Sequence, residues 1–285
     1  MGLDELDTRP APAAQAPDAI RPVATSDHSL VAGYRVVAAS IVGRGHVYQQ
    51  RPCDDAYKIA VGCDDNRAWW FAAVADGAGS RALSRHGAEA ATSAAAQRAA
   101  EALVAGSSLR EAIAAAVSIA RAAQADRARQ HGVGVADLSC TLLCLACAIS
   151  RDGPRMSLAT FQVGDGLIAA IDDHGAIVPL AQADDEVPGA TLFLDSLDDR
   201  GWDARIRCEE PASPPRGLIV ATDGLADDLI PWSENGPILA GELDQMAALA
   251  DAGVRLGEIL SYEKHGSFDD RTLVVAWRCS GPPCG

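Results

Sequence analysis

The chain has 285 residues, 48% of them hydrophobic and 22% charged, so it carries enough apolar material for a sizeable core and is not disordered throughout. Its 24 Lys and Arg residues against 39 Asp and Glu residues give a net charge of −15. Nucleic acid and anionic membrane surfaces repel a protein this acidic, so we expect neither as a partner.

The two ends of the chain differ in composition from the part between them. Residues 1–30 are rich in Ala, Pro and Asp without apolar periodicity, which predicts a disordered leader, and residues 280–285 predict a flexible tail. No long Pro- or Ser-rich linker divides residues 31–279, so we expect one domain there. No run of 18 apolar residues occurs and the first ten residues are acidic, so we expect a cytoplasmic protein without a membrane span.

Hydrophobic patterns predict strands and helices in separate groups along the chain. Short apolar runs bounded by Gly, Pro or Asp predict strands at 34–42, 57–63 and 68–75. Two Ala-rich helices follow at 85–104 and 108–130, the second starting at Ser108 with Glu111 placed to complete a capping box. The pattern then predicts strands at 138–150, 155–163, 167–172, 204–209 and 218–221, helices at 235–250 and 253–264, and a strand at 271–278. Grouped rather than alternating elements favour an α+β fold with antiparallel sheets.

The cysteines do not predict disulfides or a zinc site. There are eight, at positions 53, 63, 140, 144, 147, 208, 279 and 284, in a chain without an export signal. Cys144 and Cys147 have the spacing of half a zinc site, but they lie in an apolar run and no second Cys or His pair matches them. Buried free thiols are therefore the favoured interpretation.

Acidic residues recur where predicted strands begin or end. The positions are Asp54 and Asp55, Asp76 before Gly77, Asp165 before Gly166, Asp223 before Gly224, and Asp269 and Asp270. A strand end holds a carboxylate in place, and a following Gly lets the chain turn sharply. Carboxylates gathered at one sheet edge repel one another unless cations lie between them, and oxygen ligands without His or Cys favour Mg²⁺ or Mn²⁺.

The order of these motifs resembles the metal-dependent serine/threonine protein phosphatases, the PPM or type 2C family. The matching segments are Asp54-Asp55-Ala56, Ala75-Asp76-Gly77-Ala78-Gly79, Ser139-Cys140-Thr141, Val163-Gly164-Asp165-Gly166, Ala221-Thr222-Asp223-Gly224 and Asp269-Asp270-Arg271-Thr272. The resemblance covers residues 34–278, and the opening from Ser40 to Ala56 looks most like bacterial branches of the family. The resemblance implies that residues 31–279 form a type 2C-like phosphatase domain.

The resemblance implies a four-layer αββα sandwich, in which two antiparallel sheets are flanked by helix pairs. It also implies hydrolysis of phosphoserine and phosphothreonine by a hydroxide that bridges two divalent metals, Mn²⁺ or Mg²⁺, with a third ion in bacterial members. The implied partner is a phosphorylated protein, such as a kinase or a kinase target, in signal transduction. No cysteine is assigned as a nucleophile, and we expect a monomer.

Site residues follow from the same resemblance, position by position. Asp76 matches the ligand that bridges both metals, and the Gly77 carbonyl completes one coordination sphere. Asp223 and Asp269 match ligands of the first metal, with Asp270 as the alternative one residue further on.

The resemblance extends to further positions, among them Asp55, which matches a near-invariant Asp of the family. Asp54 and Asp55 match ligands of the second metal, and Asp165 matches the position that helps to hold a third. Arg44 is a candidate phosphate ligand, with an exposed turn arginine as the equal alternative. Ala78 stands where many eukaryotic members have a His that is a candidate acid for the leaving group, so the proton would come from metal-bound water or from another residue such as His46. Residues 182–201 correspond to the mobile flap of the family or to a solvated acidic loop.

Two further hypotheses remain beside the active protein phosphatase. One is a catalytically weak phosphatase-like regulatory or binding module, which the retention of all the carboxylates disfavours. The other is a phosphatase for small molecules or nucleotides. No Walker-type loop or Rossmann fingerprint supports nucleotide binding.

Overall fold

Two antiparallel sheets lie face to face between helices in the computed structural model, which describes residues 22–153, 155–183, 191–198 and 201–279. The strands are β1 Pro22–Val31, β2 Tyr34–Ile41, β3 Ala56–Cys63, β4 Arg67–Ala75, β5 Leu142–Ser150, β6 Met156–Val163, β7 Leu167–Ile171, β8 Ile177–Pro179, β9 Arg207–Glu209, β10 Gly217–Ala221 and β11 Arg271–Arg278. The α-helices are α1 Arg44–Gln49, α2 Ser84–Val104, α3 Leu109–His131, α4 Asp223–Ala226, α5 Trp232–Ala247 and α6 Ala252–Leu260.

The strand order defines a six-stranded and a five-stranded sheet. The larger sheet has the order β1-β2-β11-β10-β7-β8, and the smaller has the order β3-β4-β5-β6-β9. All neighbouring strands in these sheets are antiparallel. The predicted α+β class with antiparallel sheets is confirmed.

Three apolar layers hold the sandwich together. The first packs α2 and α3 on the five-stranded sheet, the second packs α5 and α6 on the six-stranded sheet, and the third lies between the two sheets. The buried face of α2 is mostly alanine, which lets this helix approach its neighbours closely. The four layers are therefore αββα, as the family resemblance implied.

Local signals fix the ends of the best-predicted helix. The Ser108 side chain accepts a hydrogen bond from the Glu111 N–H, and the Glu111 carboxylate accepts one from the Ser108 N–H at 2.9 Å. Gly132 ends α3 in the left-handed conformation, with φ of 69°. The structure confirms the capping box, and the predicted helix 108–130 differs from the observed one by a single residue at each end.

The leader predicted over residues 1–30 is too long. Residues 22–31 form β1, which pairs with β2 through a two-residue turn at Ala32 and Gly33, both with positive φ. The sequence did not predict β1 because its apolar pattern is weak. β1 is an edge strand that pairs on one side only, and its backbone hydrogen bonds come from β2. Residues 1–21 and the tail at 280–285 lie outside the described residues.

The other predicted ends of strands and helices differ from the observed ends by at most four residues. The strand expected at 204–209 is only Arg207–Glu209 and follows a 3₁₀ helix at Trp202–Arg205. The strand expected from 138 begins at Leu142, after another 3₁₀ helix at Val135–Leu138. The helix expected at 235–250 begins earlier and that at 253–264 ends earlier, while α1 and β8 were not predicted.

The apolar run that contains Cys144 and Cys147 is the central strand β5. Cys144 packs towards α2 and α3, whereas Cys147 packs into the layer between the sheets. Because the two side chains point to opposite faces of one strand, they cannot bind the same ion. The cysteines of the described residues are free thiols. Within those residues, no helix has the length and apolarity needed to cross a membrane.

Candidate metal centre

The registers of the two sheets bring the predicted acidic motifs to one end of the sandwich. Ala56 pairs with Ala75, so Asp55 and Asp76 flank the same end of the five-stranded sheet. In the other sheet, Leu167 pairs with Ala221 and Arg271 pairs with Ile41. The acidic motifs at 165, 223 and 269–270 therefore lie at the corresponding end of the six-stranded sheet. Arg44, which follows β2, lies at the same end.

Backbone contacts hold Asp76 and Gly77 in place. The Asp76 N–H donates to Thr141 Oγ1 at 2.8 Å, and the Asp76 carbonyl accepts from the Thr141 N–H at 2.8 Å. A Cβ at Gly77 would lie 2.8 Å from the Asp54 carbonyl oxygen and 2.9 Å from the Ser84 carbonyl carbon. Only glycine fits this approach, which brings the Asp54 loop beside Asp76.

Among the predicted metal ligands, Asp55 and Asp165 each keep one buried oxygen that receives no hydrogen bond. Asp55 Oδ2 accepts from Thr222 Oγ1 at 2.8 Å, while Asp55 Oδ1 is buried without a hydrogen-bond partner. Asp165 Oδ2 accepts from Thr191 Oγ1 at 2.6 Å, and Asp165 Oδ1 is likewise buried without a partner. Burying a carboxylate oxygen without a hydrogen bond costs free energy, and a cation bound to that oxygen would offset the cost.

Asp223 and Asp269 lie on two segments that touch. Asp223 is the first residue of α4, and its Oδ1 accepts from the Gly224 N–H at 2.8 Å. Asp269 Oδ1 accepts from the Asp270 N–H at 2.9 Å. A Cβ at Gly224 would overlap the Asp270 carbonyl oxygen and lie 3.2 Å from the Asp269 Cβ. Glycine at 224 therefore permits the close approach of these two segments.

Asp270 is engaged by the loops around it. Its Oδ1 accepts from the Gly43 N–H at 2.6 Å, and its Oδ2 accepts from the Asp54 N–H at 2.6 Å. The same Oδ2 lies 2.9 Å from His46 Nδ1. These contacts occupy both oxygens of Asp270 and tie it to the loop that carries Asp54, so of the two neighbouring candidates Asp269 keeps the freer carboxylate.

The three other candidates occupy different settings. His46 lies between Asp270 and Asp54, and its pKa is raised mainly by the Asp270 hydrogen bond. Asp54 is buried, and its Oδ2 accepts from Arg51 Nη2 at 2.7 Å. Arg44 is exposed, and its guanidinium carbon lies 5.8 Å from the centroid of the Phe268 ring.

The described part of the predicted flap is tied to the site. Besides the bond from Thr191, the Leu194 N–H donates to the Cys140 carbonyl at 2.8 Å. Ser139 Oγ donates to Asp195 Oδ2 at 3.0 Å. Residues 184–190 and 199–200 of the predicted flap lie outside the described residues.

Like charges crowd the centre and change its titration. Burial raises the pKa of Asp55, with the nearby Asp270 adding to the shift. Burial also raises the pKa of Asp76, and the charges of Asp55, Asp223 and Asp269 raise it further. Such mutual repulsion is the signature of carboxylates that share a site.

Sequence reasoning did not single out Asp227, which lies close to the same carboxylates. Asp227 is exposed, yet partial desolvation and then the charges of Asp165 and Asp228 raise its pKa. It stands four residues after Asp223, so both lie on one side of the short helical segment that follows β10. That spacing from a strand-end Asp was the available signal, but Asp pairs are too common in this chain to single it out.

The residues fit a divalent cation by type, burial and charge. Carboxylate and carbonyl oxygens are the ligands that Mg²⁺ and Mn²⁺ prefer. Within the described ranges, no three His, Cys, Asp or Glu side chains yet converge closely enough to hold an ion. An ion held by three of these side chains therefore requires them to rotate towards a shared point.

Asp223 predicts a pH dependence of stability. Burial and the charges of Asp165 and Asp269 raise the pKa of Asp223 from 3.8 to about 7. The folded state therefore holds this proton more tightly than the unfolded state, and the stabilisation is lost as pH rises towards 7. In EDTA we expect Tm to fall between about pH 5 and pH 7, and Asp223→Asn to flatten that slope when measured by calorimetry. An equal slope in both proteins would contradict this.

Comparisons with known proteins agree with the fold and the order of motifs. A family model for protein phosphatase 2C matches residues 42–260, more than half of the chain. A search of curated proteins found no match.

Several solved structures share the fold at low sequence identity, and those found are mostly bacterial. Serine/threonine phosphatase Stp1 from Staphylococcus aureus is 13% identical with a TM-score of 0.57, covering 89% of this chain and 96% of its own. Serine-threonine phosphatase 2C from Toxoplasma gondii is 12% identical with a TM-score of 0.59, covering 89% and 99%. PppA from Pseudomonas aeruginosa is 18% identical with a TM-score of 0.52, covering 87% and 99%. The chain belongs to the protein phosphatase 2C family of metal-dependent serine/threonine phosphatases.

Proposed function

We propose that this protein hydrolyses phosphoserine and phosphothreonine in protein substrates with Mn²⁺ or Mg²⁺ bound at the cluster of strand-end carboxylates. The observation that carries the proposal is the gathering of these carboxylates at one end of the sandwich, where burial and then repulsion from neighbouring carboxylates raise the pKa of Asp55, Asp76 and Asp223. Such repulsion disfavours the metal-free state and favours divalent ions. The solved structure of RsbX, which shares the fold with a TM-score of 0.51, contains magnesium.

Each carboxylate has a proposed role that its surroundings support. The charges of Asp55, beside the five-stranded sheet, and of Asp223 and Asp269, beside the six-stranded sheet, all act on Asp76. Asp76 would therefore contact two ions, with the Gly77 carbonyl beside it. Asp223 and Asp269 would hold the first ion.

The remaining carboxylates would hold the outer ions. Asp55 would hold the second ion through its unbonded Oδ1, with Asp54 beside it. Asp165 would help to hold a third ion through its own unbonded oxygen. Asp270 supports the Asp54 loop through its hydrogen bonds.

Substrate binding and protonation fall to other side chains. The bound ions would supply positive charge that activates water and neutralises the phosphate. Arg44 is exposed at the same end of the sandwich, where a guanidinium can bind two phosphate oxygens. Ala78 offers no proton, and His46 is held between Asp54 and Asp270, so we propose that solvent protonates the leaving alkoxide.

No thiol is needed for the reaction. Cys53, the cysteine beside Asp54, is buried, and burial raises the pKa of its thiol. A thiol held in its protonated form is a poor nucleophile. This agrees with a direct attack by water on phosphorus. We propose that the substrate is a phosphorylated protein, such as a kinase or the target of a kinase. We also propose that the enzyme acts as a monomer.

Metal removal and a defined phosphopeptide test the proposal. Purified protein should hydrolyse a phosphothreonine peptide and p-nitrophenyl phosphate with Mn²⁺ or Mg²⁺ and should lose both activities in EDTA. Returning Mn²⁺ should restore both activities, because the reaction depends on an ion held by the carboxylates and not on a thiol. Turnover that persists in EDTA would overturn the proposal, as would the absence of turnover in folded protein shown to bind Mn²⁺.

A further inference from the structure

A buried carboxylate beside the proposed metal centre has none of the roles assigned above. The Asp228 side chain is only 6% exposed, and its Oδ2 accepts from Tyr262 Oη and from Ser267 Oγ, each at 2.7 Å. Arg271 Nη2 lies 3.0 Å from the same oxygen, and Lys264 Nζ lies 3.3 Å from Oδ1. Three of these partners lie in the segment that leads into β11, and Arg271 is the first residue of that strand.

Arg271 also holds the segment that leads into β11, through hydrogen bonds of its guanidinium group. Its Nη1 donates to the Leu260 carbonyl at 3.1 Å and to the Tyr262 carbonyl at 2.9 Å, and its Nη2 donates to Ser267 Oγ at 2.8 Å. The guanidinium carbon lies 4.1 Å from the centroid of the Tyr262 ring. Arg271 thereby joins the end of α6, the following loop and Asp228 in one network.

The two segments joined by this network carry the proposed ligands of the first metal. Asp223 begins the short helical segment that contains Asp228. Asp269 lies between Ser267 and Arg271, both of which the network holds. Movement of either segment would therefore change the separation of the Asp223 and Asp269 carboxylates.

We propose that Asp228 and Arg271 are positioning residues that set the separation of Asp223 and Asp269 and thereby the affinity of the first metal site. This inference rests on the proposed function, because it uses the ligands proposed there. Neither side chain has to touch substrate or metal. A buried ion pair contributes little net stability by comparison with apolar packing, so fixed geometry is the gain expected from it.

Mn²⁺ affinity, measured by calorimetry in the absence of substrate, tests the proposal. Asp228→Asn keeps the shape of the side chain and removes its charge, so the bonds to Arg271 weaken. We expect the Mn²⁺ Kd to rise by about 10- to 100-fold, the scale found when groups that orient metal ligands are changed. Excess Mn²⁺ should restore kcat, and KM for a phosphothreonine peptide should stay unchanged.

Two further variants make the test decisive. Ser267→Ala removes one hydrogen bond to Asp228 and leaves no buried charge unpaired, so it decides the question if Asp228→Asn does not fold. Its Kd for Mn²⁺ should rise by a smaller factor. The control is Glu242→Gln, which breaks the ion pair from Glu242 to Arg255 Nη2, 2.7 Å long, between α5 and α6. That change should leave Mn²⁺ affinity unaltered.

The outcomes separate this inference from the proposed function. Lower Tm with unchanged Mn²⁺ affinity in the folded variants would overturn the positioning role and leave a purely structural one. Wild-type protein that binds Mn²⁺ but hydrolyses no phosphopeptide would overturn the proposed function, while the affinity comparison would still decide the positioning role. Wild-type protein that binds no Mn²⁺ would overturn both.

Discussion

Asp76→Asn should lower kcat with Mn²⁺ by roughly 1,000-fold, the upper range for losing one electrostatic group at a reacting centre. The change removes a proposed ligand of both metals while preserving the size of the side chain. It also removes one of the like charges that face Asp55, Asp223 and Asp269. We therefore expect Tm in EDTA to stay level or to rise, because repulsion in the metal-free state decreases.

This pairing of lost activity with retained stability distinguishes a metal ligand from a structural carboxylate. The backbone bonds of residue 76 to Thr141 do not involve the side chain that is changed. Asp152→Asn is the matched control, because Asp152 is exposed in the turn between β5 and β6, at the opposite end of the strands. Near-normal kcat in Asp76→Asn would exclude Asp76 from the metal centre.

Gly224→Ala should lower kcat/KM by about 100-fold, the cost expected when a reacting group is misplaced by about 1 Å. The added methyl would overlap the Asp270 carbonyl oxygen, so the segments that carry Asp223 and Asp269 must move apart. Overpacking of this kind also costs about 1–3 kcal/mol of unfolding free energy. Peptide hydrolysis and urea unfolding measure the two effects separately.

Gly79→Ala is the control for this steric argument. Gly79 lies in the same motif as Asp76, but a Cβ there would meet nothing within 4 Å. Its activity and stability should stay near those of the wild type. Equal losses in both variants would show that any glycine substitution near the site is harmful, and the close approach at Gly224 would then explain nothing.

Local sequence patterns were sufficient to predict the carboxylates at the end of the sandwich. Asp76 and Asp223 each follow a short apolar run and precede a glycine, so both the strand and the turn are visible in the sequence. The same is true of α3, whose first turn carries its own capping box. These features depend on residues within a few positions of one another.

Features that depend on distant partners could not be predicted in this way. The hydrogen bonds that occupy the Asp270 carboxylate come from Gly43 and Asp54, more than 200 residues away in the chain. β1 is a strand because β2 pairs with it, although its own pattern is weak. The Asp228 network likewise joins residues whose pairing requires the folded structure.

Anomalous diffraction at the manganese absorption edge, from crystals of the protein grown with Mn²⁺, would locate the ions relative to the carboxylates. We expect two strong peaks that share Asp76 as a ligand, with Asp223 and Asp269 beside one of them and Asp55 beside the other. A protein that binds Mn²⁺ tightly in solution and shows its peaks away from Asp76 would exclude the proposed two-metal centre.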